Sequence, residues 1–122
     1  MSPMEKRIAV VDDDEAVRES LCALLSSVGY DAKVFASAVD FLDSHESART
    51  HCLIVDLRMP DMTGLELVDR LASQGTKISV ILISGNYDDA ARSHAKQAGI
   101  VALLEKPFSD DVLLDSIRQA LC

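Results

Sequence analysis

Five side chains in this sequence could do chemistry together, although they are spread along almost the whole chain. Asp12 and Asp13 close the apolar run Ile8-Ala9-Val10-Val11, and Asp56 closes Leu53-Ile54-Val55. Ser84 follows the run from Ile78 to Ile83, and Lys106 follows Val101 to Leu104. Three carboxylates brought within a few ångströms repel: each close pair costs roughly 1 kcal/mol in water and about 4 kcal/mol at an effective dielectric near 20. One lysine cannot neutralise them, so a divalent cation is implied. Hard oxygen ligands in a shallow, wet site favour Mg²⁺ over zinc. Mg²⁺ held by few carboxylates keeps positions that phosphate oxygens can fill, while Lys106 and the Ser84 hydroxyl would hold the remaining phosphoryl oxygens. Such a site suits phosphoryl transfer.

Those residues need elements that bring them to one place. Apolar runs such as Leu53-Ile54-Val55 suit strands buried on both faces, as in a parallel sheet covered by helices. The pattern predicts strands over Arg7–Val11, Ala32–Phe35, Leu53–Val55, Ile78–Ile83 and Val101–Leu104. Between them lie helical periods. Glu15 to Val28 carries Val17, Leu21, Leu24, Leu25 and Val28 on one face, and Gly29 stands where a left-handed cap belongs. Ser37 can cap a helix bearing Phe41 and Leu42. Met59-Pro60 breaks the chain after Asp56, and Thr63-x-x-Glu66 has the spacing of a capping box. The helix that follows turns Leu65, Val68, Leu71 and Ala72 inward and closes near Gly75. Asp88 to Ala98 is an alanine-rich helix ending at Gly99. Ser109 or Asp110 caps a last helix with Leu113, Ile117, Ala120 and Leu121 inward. Five strands alternating with five helices imply an α/β parallel sheet with right-handed crossovers. The pattern leaves strand order open, but all the carboxyl ends share one rim, where open α/β sheets place ligands.

Composition narrows the function. A chain of 122 residues is one domain, and a net charge of −8 argues against a nucleic-acid surface. Cys22, Cys52 and Cys122 form no C-x-x-C pair and read as reduced thiols, two of them small core residues. His45, His51 and His94 lack metal-ligand spacing and read as surface residues. The apolar run before Asp12 is too short for a signal peptide, and nothing approaches a membrane span, so a cytoplasmic protein without membrane contact is expected.

The paired acids after the first strand, D-L-R-M-P-D-M-T-G from Asp56 to Gly64, Ser84-Gly85 and Lys106-Pro107-Phe108 resemble the receiver (CheY-like) domain of two-component response regulators. The likeness runs in order along nearly the whole chain. A-V-D-F-L at 38–42 and D-L-R-M-P at 56–60 are similar to FixJ-type regulators. The resemblance implies one receiver domain over 1–122 with a doubly wound, flavodoxin/CheY-like five-stranded sheet of order 2-1-3-4-5. It implies that Asp56 is the phosphoacceptor, fed by a histidine kinase or phosphotransfer protein. Asp13 and Asp56 would bind Mg²⁺ together with the backbone carbonyl of Arg58, and Asp12 would do so directly or through water. Ser84 would be the switch hydroxyl and Lys106 the phosphoryl-binding cation. The Lys106-Pro107 bond would be cis, and Gly85 would leave room for a phosphodonor. Arg58 and Asn86 occupy positions that tune phosphoryl lifetime in relatives.

A domain of this kind is not a turnover enzyme; it catalyses only its own phosphorylation and slow dephosphorylation. Its output would pass to a C-terminal domain outside this chain or to a downstream protein, and the resemblance also admits a phosphorylation-dependent dimer. The sequence departs from the pattern at Leu103, three residues before Lys106, where the family has Tyr or Phe. Leu103 is therefore expected to stand in for an aromatic rotor, with the alanine-rich helix taking up part of the shift.

Three rivals fit less well. Asp12-x-Asp14 mimics the nucleophile and acid/base pair of a haloacid-dehalogenase-type phosphatase, but Ala16 breaks that motif and the chain has no room for a cap domain. A flavodoxin-like FMN carrier needs a Ser/Thr-rich loop where this chain has three aspartates. A calcium loop beginning at Asp12 would lack its sixth-position Gly and twelfth-position Glu.

Overall fold

Short apolar segments ending in polar residues produce the strands, and capped amphipathic segments produce the helices that cover them. The structure, a computed structural model, describes residues 6–122. In chain order the elements are β1 (Arg7–Val11), α1 (Glu15–Ser27), β2 (Asp31–Phe35), α2 (Ala38–Asp43), β3 (Cys52–Asp56), α3 (Gly64–Ser73), β4 (Ser79–Ser84), α4 (Asp89–Gln97), β5 (Ala102–Glu105) and α5 (Asp110–Ala120). A 3₁₀ turn at Ser47–Arg49, which the periodicity did not predict, leads into β3. The five strands form one parallel sheet in the order β2-β1-β3-β4-β5. The order reverses between β1 and β3, which opens a crevice beyond their carboxyl ends.

Alternate residues of each strand feed two separate cores, as the two-residue period of a strand requires. Ala9, Val11, Leu53, Val55, Val80 and Leu82 pack beneath α2, α3 and α4. Ile8, Val10, Cys52, Ile54, Ile81 and Ile83 pack beneath α1 and α5. Every residue of β3 is buried, whereas the edge strand β2 is only partly covered. Burying each large aliphatic side chain contributes about 1.5–3 kcal/mol, so the central strands are the least movable part of the molecule.

The caps follow the expected chemistry. Asp14 accepts N–H groups from Ala16 and Val17, and Ser37, Asp88 and Ser109 cap α2, α4 and α5. Thr63 and Glu66 close a reciprocal capping box at the start of α3. The inward faces differ from expectation in two places. Val28 is the C-cap of α1 and stands 48% exposed, because the helix ends one residue before it. On α3 it is Leu67 that is fully buried, while Ala72 is exposed. Ala72 lines an open cleft of about 600 Å³ with Thr76, Lys77 and Gly99 at the amino-terminal edge of the sheet. Of the cysteines only Cys52 is fully buried, its thiol pushed up to about 12 by burial; Cys22 is half-buried and Cys122 exposed. No helix of the described residues is long and apolar enough to cross a membrane.

Candidate functional site

Strand register sets the site before any side chain is considered. Val11 pairs with Val55, Asp56 with Ile83, and Ser84 with Glu105, so the residues that end β1, β3, β4 and β5 reach one level. The backbone N–H of Lys106 donates to the Ser84 carbonyl at 2.8 Å, which fixes the root of the lysine beside the fourth strand. Among the described residues five polar side chains are buried: Asp12, Thr50, Asp56, Ser84 and Ser116. The hydroxyls of Thr50 and Ser116 are satisfied within their own segments, by the carbonyls of Glu46 and Val112. The other three lie on the carboxyl rim.

Asp12 is fully buried and Asp56 nearly so, whereas Asp13 is exposed. One carboxylate oxygen from each lies within 4.8 Å of the other two. The Lys106 ammonium sits between the buried pair, 2.9 Å from Asp56 Oδ2 and 3.4 Å from Asp12 Oδ2. The remaining oxygens accept backbone N–H groups: Asp56 Oδ1 from Arg58 and Asp12 Oδ1 from Asp14, each at 2.9 Å. Burial pushes the Asp12 carboxyl above the usual aspartate range. The Asp14 N–H and the Lys106 charge only partly offset that, and Asp56 adds repulsion. Burial also pulls the Lys106 amine down, but its hydrogen bond to Asp56 and the charges of both acids outweigh it, and the amine stands above its ordinary value.

Ser84 is almost fully buried, and its hydroxyl is engaged with its own loop. It donates to the Asn86 carbonyl at 2.9 Å and accepts the Asn86 N–H at 3.2 Å. The Arg58 guanidinium reaches across the rim to the same carbonyl at 3.5 Å, and the Arg58 backbone is tied to the Asp56 carboxylate. The Lys106-Pro107 peptide is cis, as the resemblance implied. Asp14, which could have paired with Asp12 in a phosphatase motif, is instead committed to capping α1.

Three residues packed around the site, outside its set of acids, lysine and hydroxyl, escaped sequence reading. Arg18, one turn into α1, donates to the Asp12 carbonyl at 2.9 Å and pins the acidic turn. Gly64 leaves space for the Asp56 backbone: a Cβ there would lie 2.7 Å from the Asp56 carbonyl oxygen and 2.8 Å from Leu82 Cδ1. Tyr87 is buried below the β4–α4 loop, its hydroxyl 2.8 Å from the Leu82 carbonyl and 3.0 Å from that of Leu104. Only Tyr87 left a trace in the sequence, as an aromatic three residues beyond a strand-end hydroxyl in a chain with few aromatics.

Fold and rim together define a flavodoxin-like signalling domain with an acidic pocket at its switch point. The profile of the response regulator receiver domain matches residues 8–118, and the chain belongs to that family. It is 42% identical over 121 residues to the response regulator protein TmoT of Ectopseudomonas mendocina, covering 99% of this chain and 55% of TmoT. The transcriptional regulatory protein FixJ of Azorhizobium caulinodans is 38% identical over 119 residues, 98% of this chain and 56% of FixJ. The chain thus spans about half the length of the curated relatives it matches. The crystal structure of FixJ-N superposes with a TM-score of 0.87 at 38% identity, covering 97% of this chain and 94% of that one. The chemotaxis protein CheY4 of Vibrio cholerae superposes at 0.88 with 25% identity, covering 96% and 99%. The acidic pocket fits the phosphoacceptor site of such a receiver.

Proposed function

We propose that Asp56 accepts a phosphoryl group from a phosphohistidine on a kinase or phosphotransfer protein, with Mg²⁺ held by Asp12, Asp13, Asp56 and the Arg58 carbonyl. The observation that carries this reading is the shared lysine: one ammonium bridges two buried carboxylates at the switch point, beside a third acid. Three hard carboxylate oxygens within 4.8 Å suit a small divalent cation. When bound, Mg²⁺ would neutralise charge developing on the phosphoryl oxygens.

The chain's own groups do the rest. The Arg58 N–H holds Asp56 Oδ1, so the carboxylate keeps one orientation as a nucleophile. A carboxylate oxygen forms the new O–P bond while the donor's N–P bond breaks, and the departing imidazole takes up a proton. The Lys106 ammonium, already 2.9 Å from Asp56, then binds the oxygens of the acyl phosphate. The Ser84 hydroxyl leaves Asn86 for the new acceptor oxygens. The donor protein must present its histidine over this rim. A groove of about 500 Å³ lined by Val17, Leu21, Lys106, Pro107 and Phe108 lies beside it and offers an apolar seat. By analogy with relatives about twice as long, the output would act through a further domain or a separate protein.

Incubation with Mg²⁺ and a small acyl phosphate should add one phosphoryl mass, and Asp56→Asn should not acquire it. A phosphorylated Asp56→Asn protein would move the acceptor to Asp12 or Asp13. Mg²⁺ alone should raise Tm, since it binds the native state selectively, and Asp13→Ala should remove that rise.

A further inference from the structure

We propose that Tyr87, supplied by the β4–α4 loop, is the aromatic side chain that carries the state of Ser84 to α4, in place of a ring at position 103. The inference rests on Asp56 being phosphorylated. Leu103 is half-buried and packs on the cluster that contains Tyr87, so the space an aromatic at 103 would use is served by a ring from the neighbouring loop.

The coupling is written in the backbone. The Ser84 hydroxyl donates to the Asn86 carbonyl, which belongs to the peptide plane leading into Tyr87. It also accepts the Asn86 N–H, so one hydroxyl grips the loop on both sides of that residue. Phosphorylation adds close to two negative charges and strong acceptor oxygens. A hydroxyl that turns to donate to them must release the Asn86 carbonyl, and the Tyr87 peptide plane is then free to rotate. Gly85 would not resist, since nothing lies within 4 Å of its missing Cβ.

Tyr87 is placed to turn that rotation into a signal. Its hydroxyl lies between the Leu82 and Leu104 carbonyls of β4 and β5, with one proton to give to two acceptors. Burial, and then the nearby charge of Asp56, raise the phenol's pKa, so it stays a donor at physiological pH. The Arg92 guanidinium of α4 lies 5.3 Å from the ring centroid, a cation–π contact that links ring to helix. Asp88, the N-cap of α4, is the next residue in the chain. Only Ala95 of α4 is buried, so little apolar packing opposes a shift of the helix.

The chain has two tyrosines and no tryptophan, so Tyr30→Phe leaves Tyr87 as the single emitter. In that protein, beryllofluoride with Mg²⁺ should raise acrylamide quenching of the tyrosine at least twofold. Tyr87→Phe keeps the ring and deletes the donor. It should take up phosphoryl mass as the wild type does, while the activation-dependent change in hydrogen exchange over Asp89–Gln97 falls by half or more. A phosphorylated protein whose tyrosine quenching does not change overturns the role of Tyr87 and leaves the Asp56 reading standing. So does a Tyr87→Phe protein whose α4 response is intact. A wild-type chain that takes up no phosphoryl mass overturns the Asp56 reading, and this inference falls with it.

Discussion

Helices α3 and α4 lie on the same face of one sheet, yet they are held very differently. Helix α3 buries Gly64, Leu65, Leu67, Val68 and Leu71, whereas α4 buries Ala95 alone. The first begins against the proposed acceptor: the Gly64 N–H donates to the Leu57 carbonyl at 3.0 Å, and the glycine abuts the Asp56 backbone. The second is held by its Asp88 cap, by the Arg92–Tyr87 contact, and by His94 Nε2, 2.9 Å from Asp69 Oδ2 on α3. That last pair is 43% and 55% exposed, and exposed pairs are worth only about 0–1 kcal/mol. On the proposed function, the difference separates two duties. A group that must meet an incoming phosphorus atom needs a fixed seat, and an element that reports the event needs a shallow one.

The contrast is sharpest in stability. Leu67→Ala removes a fully buried side chain from the packed helix and should cost about 2–5 kcal/mol, roughly 8–20 °C of Tm in a domain of this size. Ala95→Gly, at the one buried position of α4, should cost only about 1 kcal/mol. Thermal unfolding of the two variants side by side checks this. Equal losses would mean that α4 is anchored as firmly as α3, and the division of duties would fail.

Gly64→Ala probes the fixed seat more directly and with a smaller expected effect. The new methyl meets the Asp56 carbonyl oxygen at 2.7 Å, and backbone cannot swing aside as a long side chain can. Overpacking of this kind costs about 1–3 kcal/mol. Because the strain falls on the peptide of Asp56, the proposed acceptor, the rate of phosphoryl uptake should drop more than the Tm alone would suggest. Stopped-time mass measurement of phosphoryl uptake, compared with Leu67→Ala, separates a displaced acceptor from general loosening.

The fold was legible in the sequence because local and global signals agree in this chain. Apolar runs buried in the sheet marked β1, β3 and β4, and Asp14, Ser37, Thr63, Asp88 and Ser109 stand where caps are needed. The convergence of Asp12, Asp13, Asp56 and Lys106 followed from parallel strands alone. Ser84 reaches the same rim, but its hydroxyl is turned to Asn86. What was hidden depended on how elements meet. Ala72 counts as inward by its period, yet it lines the open cleft at the amino-terminal edge of the sheet, while Leu67, outside the expected set, is fully buried. Gly64 looked like an ordinary first helical residue until the Asp56 carbonyl came up against it. Tyr87 went unread because loops normally lie outside the core. Its burial is visible only once the paired strands β4 and β5 are seen to turn the Leu82 and Leu104 carbonyls to one hydroxyl.

The smallest expected effect concerns Asp12, whose burial beside Asp56 is costly when no metal is bound. A carboxyl raised above its ordinary value of 3.8 means that the folded chain holds the proton more tightly than the unfolded one. Between that ordinary value and the raised one the unfolded state releases its proton first, so the metal-free fold loses stability as pH rises through this window and then levels off. Asp12→Asn keeps the Oδ1 acceptor for the Asp14 N–H, removes the charge, and leaves Lys106 paired with Asp56 at 2.9 Å. A close like-charge pair costs about 1 kcal/mol in water and more when screened less, and Lys106 already offsets part of that cost. The variant should therefore gain on the order of 1 kcal/mol at neutral pH in chelator. As pH falls below the ordinary value of 3.8, position 12 loses its charge in the wild type too, and the advantage should vanish. Denaturant midpoints measured at neutral and acid pH test the sign. A variant less stable than wild type at neutral pH would mean that the Lys106 bridge outweighs the burial of Asp12. The rim would then be a settled ion-pair network in its own right, rather than a seat held under strain for a cation and a phosphoryl group.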